Sequence, residues 1–86
     1  MTKFDSKSID RAYSLINSKI LKTPLVTNDY INELLQSNIY FKLENLQVTG
    51  SFKFRGALHK IIKLKDSNTI NGVVAYSSGN HAQAVA

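Results

Sequence analysis

Apolar residues in the first quarter of the chain recur at three- and four-residue steps: Ile9, Ala12, Tyr13, Ile16 and Ile20. That spacing predicts an amphipathic helix, with Ser8 as its N-cap. Lys19 and Lys22 near its end suit the negative pole of the macrodipole. Thr23-Pro24 stops the helix, because the residue before proline avoids the right-handed helical region. Leu25-Val26 reads as a short extended piece. Asn28 can cap a second, short helix with Ile31, Leu34 and Leu35 on its apolar face, closed by Ser37-Asn38. The pattern then changes character. Residues 39–43, IYFKL, are β-branched and aromatic and predict a strand.

A polar loop, residues 44–50, leads to a third helix with Ser51 as cap. Phe54, Ala57, Leu58, Ile61, Ile62 and Leu64 cover one side of it, and Asp66-Ser67-Asn68 closes it. Residues 72–76, GVVAY, predict a second strand. Residues 77–80, SSGN, form a turn into another helical stretch, residues 81–86. Strand, helix, strand, helix in this order is α/β architecture with a right-handed crossover. In such sheets ligands sit beyond the carboxyl ends of the strands, where loops enter helices. Both loops, VTGSFK and SSGN, occupy that position.

Composition narrows the picture. Eighty-six residues allow one small domain at most. The absence of cysteine excludes disulfides and thiolate metal sites and is compatible with a reducing cytosol. Neither an apolar leader in MTKFDSKSID nor a run of ~18 apolar residues is present, so the expectation is a soluble, cytoplasmic protein with no membrane partner. The net charge of +5 is concentrated centrally, at Lys42, Lys53, Arg55, Lys60, Lys63 and Lys65. Such a cluster can neutralise phosphates, or form a solvated helix face, or attract a small anion. No nucleic-acid module is spelled out and aromatics are not interleaved with the charges, so nucleic acid is not the expected partner.

The chemistry lies in the two loops. Lys53 is placed near the free N–H groups of a helix start, whose partial positive charge disfavours an ammonium. Phe52 and Phe54 would dehydrate it further. A neutral lysine amine is what Schiff-base formation with an aldehyde requires. The alternative is a surface lysine whose stem packs beside the phenylalanines while its head reaches water. In residues 77–81, SSGNH, Gly79 frees the turn so that successive N–H groups can cradle a carboxylate, and Asn80 can bond a ring hydroxyl. The alternative is an ordinary connection with Ser78 or Asn80 as a cap. His81 has no partners at metal-ligand spacing, and His59 reads as structural or solvent-facing. From the residues alone, the chain is an α/β segment with a lysine and an anion nest facing one cleft.

KLENLQVTGSFKFRGA, followed about two dozen residues later by SSGNHAQAVA, resembles the fold-type II pyridoxal-phosphate enzymes, in particular the threonine dehydratase and serine racemase branch. The upstream KTPLV and IYFKLEN belong to the same likeness. The resemblance implies an α/β, tryptophan synthase β-like architecture of two domains. Residues 1–70 would belong to the larger, cofactor-binding domain and residues 71–86 would begin the smaller one. It implies pyridoxal 5′-phosphate as cofactor, Lys53 as its Schiff-base lysine, Phe52 against it and Asn80 on its 3-hydroxyl. Ser77, Ser78, Gly79, Asn80 and His81 would hold the substrate carboxylate. Phe54 after the lysine, where cysteine and threonine synthases carry aspartate, is similar to the dehydratase and racemase pattern. Ser78 matches the second proton-transfer base of serine racemases.

The activity so implied is dehydration of threonine or serine to a 2-oxo acid and ammonia, with serine racemisation as the alternative, in a full-length homo-oligomer. The family's phosphate loop and its partner for the pyridine nitrogen lie outside these residues. The chain therefore reads as an N-terminal fragment, expected to be inactive and unstable alone. A non-catalytic gene remnant and a small basic binding module are the rival readings.

Overall fold

A computed structural model describes residues 4–68 and 70–86. The first helix, α1 (Ser6–Ile16), starts two residues before the expected cap. Asp5, not Ser8, is its N-cap: the Asp5 carboxylate accepts the Ser8 N–H at 2.8 Å, and Ser8 Oγ accepts the Asp5 N–H at 3.1 Å. A carboxylate accepts an orphan helix amide strongly, so capping begins three residues earlier, and Ser8 completes the reciprocal box from the third helical position. The helix also ends earlier than the apolar stripe suggests. Asn17 closes it and Lys19 N–H turns back to Ile16 C=O at 3.0 Å, so Ile20, Lys19 and Lys22 lie beyond it.

β1 (Leu25–Val26) follows the proline, and α2 (Asp29–Leu35) is capped by Asn28 as its sequence indicates, with the Ile31 N–H on Asn28 Oδ1 at 3.0 Å. Gln36, in the left-handed region at φ 49°, ends α2. Of the five residues expected in the next strand, only β2 (Phe41–Lys42) is paired. It runs antiparallel to β1, Leu25 opposite Lys42 and Val26 opposite Phe41. Two single turns of 3₁₀ helix, Glu44–Leu46 and Val48–Gly50, fill the polar loop. α3 (Lys53–Asp66) begins one residue later than anticipated, making Lys53 its first residue, and Ser67 closes it. Ser51 lies one place outside the cap yet serves as one, its Oγ accepting the Lys53 N–H at 3.3 Å.

Residues 72–76 are the main departure. They form no strand among the described residues, and Val74 and Tyr76 are fully exposed. Strand geometry is held by a neighbour's ladder bonds, and no described segment lies alongside to supply them. The β–α–β crossover is therefore not closed by pairing here, and the sheet is the β1–β2 pair. α4 (Asn80–Val85) starts at Asn80 and packs on α3, while α1 packs on another side of α3. Ile16, Ala57 and Ala84 are the buried apolar residues, one from each of these helices.

Candidate functional site

The loop before Lys53 is shaped by two consecutive positive-φ residues, Thr49 at 63° and Gly50 at 78°. Glycine adopts this region freely, whereas a β-branched residue is strained there. The strain is held by the Gly50 N–H on Gln47 C=O at 2.7 Å, and by a polar clamp beneath. Gln47, only 4% exposed, pairs with both backbone groups of Leu21: Leu21 N–H to Oε1 and Nε2–H to Leu21 C=O, each 2.8 Å. Its amide thus imitates one rung of a β-ladder. Glu44 accepts from Thr23 Oγ1 at 2.8 Å and from Gln47 Nε2 at 3.2 Å, and ion-pairs with Arg55 Nε. Burial pushes the Glu44 carboxyl up, but the bonds from Arg55, Thr23 and Gln47, with the guanidinium charge, outweigh it and hold the group below its ordinary value.

Arg55 ties this clamp to the first turn of α3. Lys53, Gly56, Ala57, Lys60, Ile61 and Leu64 fall at helical intervals along one face and line a cavity of about 400 Å³. Phe52, Val73–Ala75, His81 and Val85 complete the wall. Lys53 Nζ stands 5.9 Å from the centroid of the Phe52 ring, at the outer reach of a cation–π contact.

Three of the expected residues, Phe52, Lys53 and His81, thus come together on one cavity from the starts of two helices separated in sequence. Ser77, Ser78, Gly79 and Asn80 do not line it. They form the exposed turn that delivers His81, with the Gly79 N–H donated to Ser77 Oγ at 3.1 Å. The expected dehydration of Lys53 is not in place, since Lys53 is exposed and Phe52 is 63% exposed. Among the described residues no group of three His, Cys, Asp or Glu could hold a metal ion, and no helix is long and apolar enough to cross a membrane.

Residues 16–86 match the family profile described as pyridoxal-phosphate dependent enzyme. The chain belongs to that family. The pyridoxal-phosphate-dependent relatives include the serine racemase of Dictyostelium discoideum, 52% identical over 92% of this chain and 24% of its own length. The biosynthetic L-threonine dehydratase of Lactococcus lactis is 48% identical over 94% of this chain and 20% of its own length. The crystal structure of the Dictyostelium racemase superposes with a TM-score of 0.83, covering 92% of this chain and 26% of that one. The chain thus spans about a quarter of these fold-type II relatives.

The cavity fits the family's cofactor. Its volume lies in the range of small-molecule sites, its walls are largely apolar, and the Phe52 ring flanks a primary amine able to condense with an aldehyde. Sequence reasoning missed the residues that set this up. Thr23 read only as the residue before a proline, and Glu44 and Gln47 as loop. Lys60 carried a usable signal, standing seven residues after Lys53 and so on the same helical face.

Proposed function

We propose that the chain supplies the cofactor lysine and the substrate-carboxylate loop of a threonine (serine) dehydratase, which converts a β-hydroxy amino acid to a 2-oxo acid and ammonia. The observation carrying this reading is the meeting of Lys53, Phe52 and His81 on one cavity. Lys53 would hold pyridoxal 5′-phosphate through its amine, Phe52 would lie against the ring, and Asn80 would bond its hydroxyl. When bound, the cofactor supplies a conjugated ring that takes up electron density from the substrate α-carbon. Lys53 Nζ, once free, removes the proton at that carbon. Residues 77–81, of which His81 lines the cavity, would hold the substrate carboxylate and so orient the Cα–H bond toward the amine. The β-hydroxyl then departs as water, taking its second hydrogen from the Lys53 ammonium so formed, and hydrolysis of the released enamine gives the 2-oxo acid and ammonia. In this reading residues 1–70 belong to the larger domain and 71–86 open the smaller one, the full-length enzyme is a cytoplasmic homo-oligomer, and the 86-residue segment alone is inactive.

A second reading, serine racemase, is favoured by Ser78 and by the name of the Dictyostelium relative. Ser78 Oγ would return a proton to the opposite face of the α-carbon. The test of the shared core is Lys53→Ala in a full-length enzyme carrying residues 1–86. Loss of both turnover and the borohydride-fixed cofactor is expected. A cofactor adduct retained in that variant would remove Lys53 from its role.

A further inference from the structure

We infer that Glu44 and Arg55 form a positioning pair that pins the first turn of α3 and so aims Lys53 into the cavity. This rests on the reading of Lys53 as the cofactor lysine. Lys53 and Arg55 are two residues apart, hence roughly 200° apart around the helix. The pair therefore holds the far side of the first turn against the 3₁₀ turn that begins at Glu44. With that side pinned, Lys53 must face the cavity, in line with Gly56, Ala57 and Lys60. Glu44 is itself immobilised, because Thr23 and Gln47 occupy its second oxygen and Gln47 is locked to the Leu21 backbone. The side chains of Glu44 and Arg55 are 14% and 28% exposed, so the contact is largely shielded from water. It is more than a surface ion pair, which would contribute little.

Positioning matters here because the amine must meet one carbon atom. Lys60 shares the cavity and is a built-in competitor. Release of the first turn would withdraw Lys53 and leave Lys60, two turns further along the same face, in reach, and a displacement of ~1 Å can cost on the order of 10²-fold in rate.

The experiment strips cofactor from a full-length enzyme carrying residues 1–86, adds pyridoxal phosphate, and fixes the linkage with borohydride. Peptide mass spectrometry then gives the rate of capture and the ratio of label at Lys53 to label at Lys60. Arg55→Met should slow capture at Lys53 by roughly tenfold or more, within the penalty expected for such misplacement, and shift label toward Lys60. Arg55→Lys, which keeps the charge, should recover part of both. Ile16→Val, a change in the buried core of about 0.5–1.5 kcal/mol that keeps the ion pair, should leave the ratio unchanged. Arg55→Met with wild-type rate and ratio would overturn the proposal, as would an equal change in Ile16→Val. If Arg55→Met does not fold, the milder Glu44→Gln carries the same test with the same outcomes. If the unsubstituted enzyme places no label on Lys53, the functional reading fails and the pair's role with it. An unchanged ratio in the variants, with wild-type label on Lys53, removes only the pair's role.

Discussion

Separating residues 1–86 from any further chain should leave a polypeptide without a cooperative fold. A compact monomer of 9.6 kDa exposes roughly 5,100 Å² by the surface–mass relation. This chain exposes 7185 Å², about 2,100 Å² more than that relation gives. Its radius of gyration is 16.2 Å, where a compact chain of this length gives about 12 Å. If somewhat over half of the excess is apolar, at ~25 cal/mol per Å² the uncovered surface forgoes roughly 30 kcal/mol. Whole domains are stable by only ~5–15 kcal/mol, so the deficit decides the outcome. No large side chain among the described residues is fully buried, which agrees with this. Far-UV circular dichroism and calorimetry of the isolated segment should show helical signal fading gradually on heating, with no heat-absorption peak and no response to pyridoxal phosphate. A single sharp transition, raised by the cofactor, would refute the reasoning and mark the segment as a self-sufficient domain.

Three further outcomes are expected of a full-length enzyme carrying these residues. The folded Glu44 carboxyl lies below its ordinary value, so its contribution to stability is complete above the unfolded pKa, about 4.3, and is lost as pH falls through the lower folded value. Denaturant titrations across acidic pH should therefore show a decline that Glu44→Gln flattens, and an identical acid limb in both proteins would refute it. Gly50→Ala, at φ 78°, should cost about 1–2 kcal/mol, read as a lowered denaturation midpoint; the added methyl group has room, 3.9 Å from Asn45 C=O, so the cost comes from the backbone alone. Ser78→Ala should abolish racemisation of serine while most dehydration persists, and equal loss of both would leave the turn with carboxylate binding only.

Local information carried much of this protein. Asn28 capped α2 where its side chain could reach an orphan amide, Pro24 separated α1 from β1, and the period of Ala57, Ile61 and Leu64 placed α3. The two loops were legible for the same reason: a lysine at a helix start and a Ser-Ser-Gly-Asn turn are contiguous in sequence. What lay beyond reach depends on partners far along the chain. Residues 72–76 have strand propensity, yet a strand exists only where a neighbour accepts its ladder bonds, and no spacing in the sequence states which segment that is. Asp5 and Ser8 could each have capped α1, and the two instead share one capping box with Asp5 as the cap. The clamp of Thr23, Glu44, Gln47 and Arg55 joins segments 11 to 26 residues apart through side-chain bonds that follow no period. The orientation of Lys53 depends on that clamp. Chemistry could be read residue by residue, but the direction in which it points was decided only when the distant polar groups met.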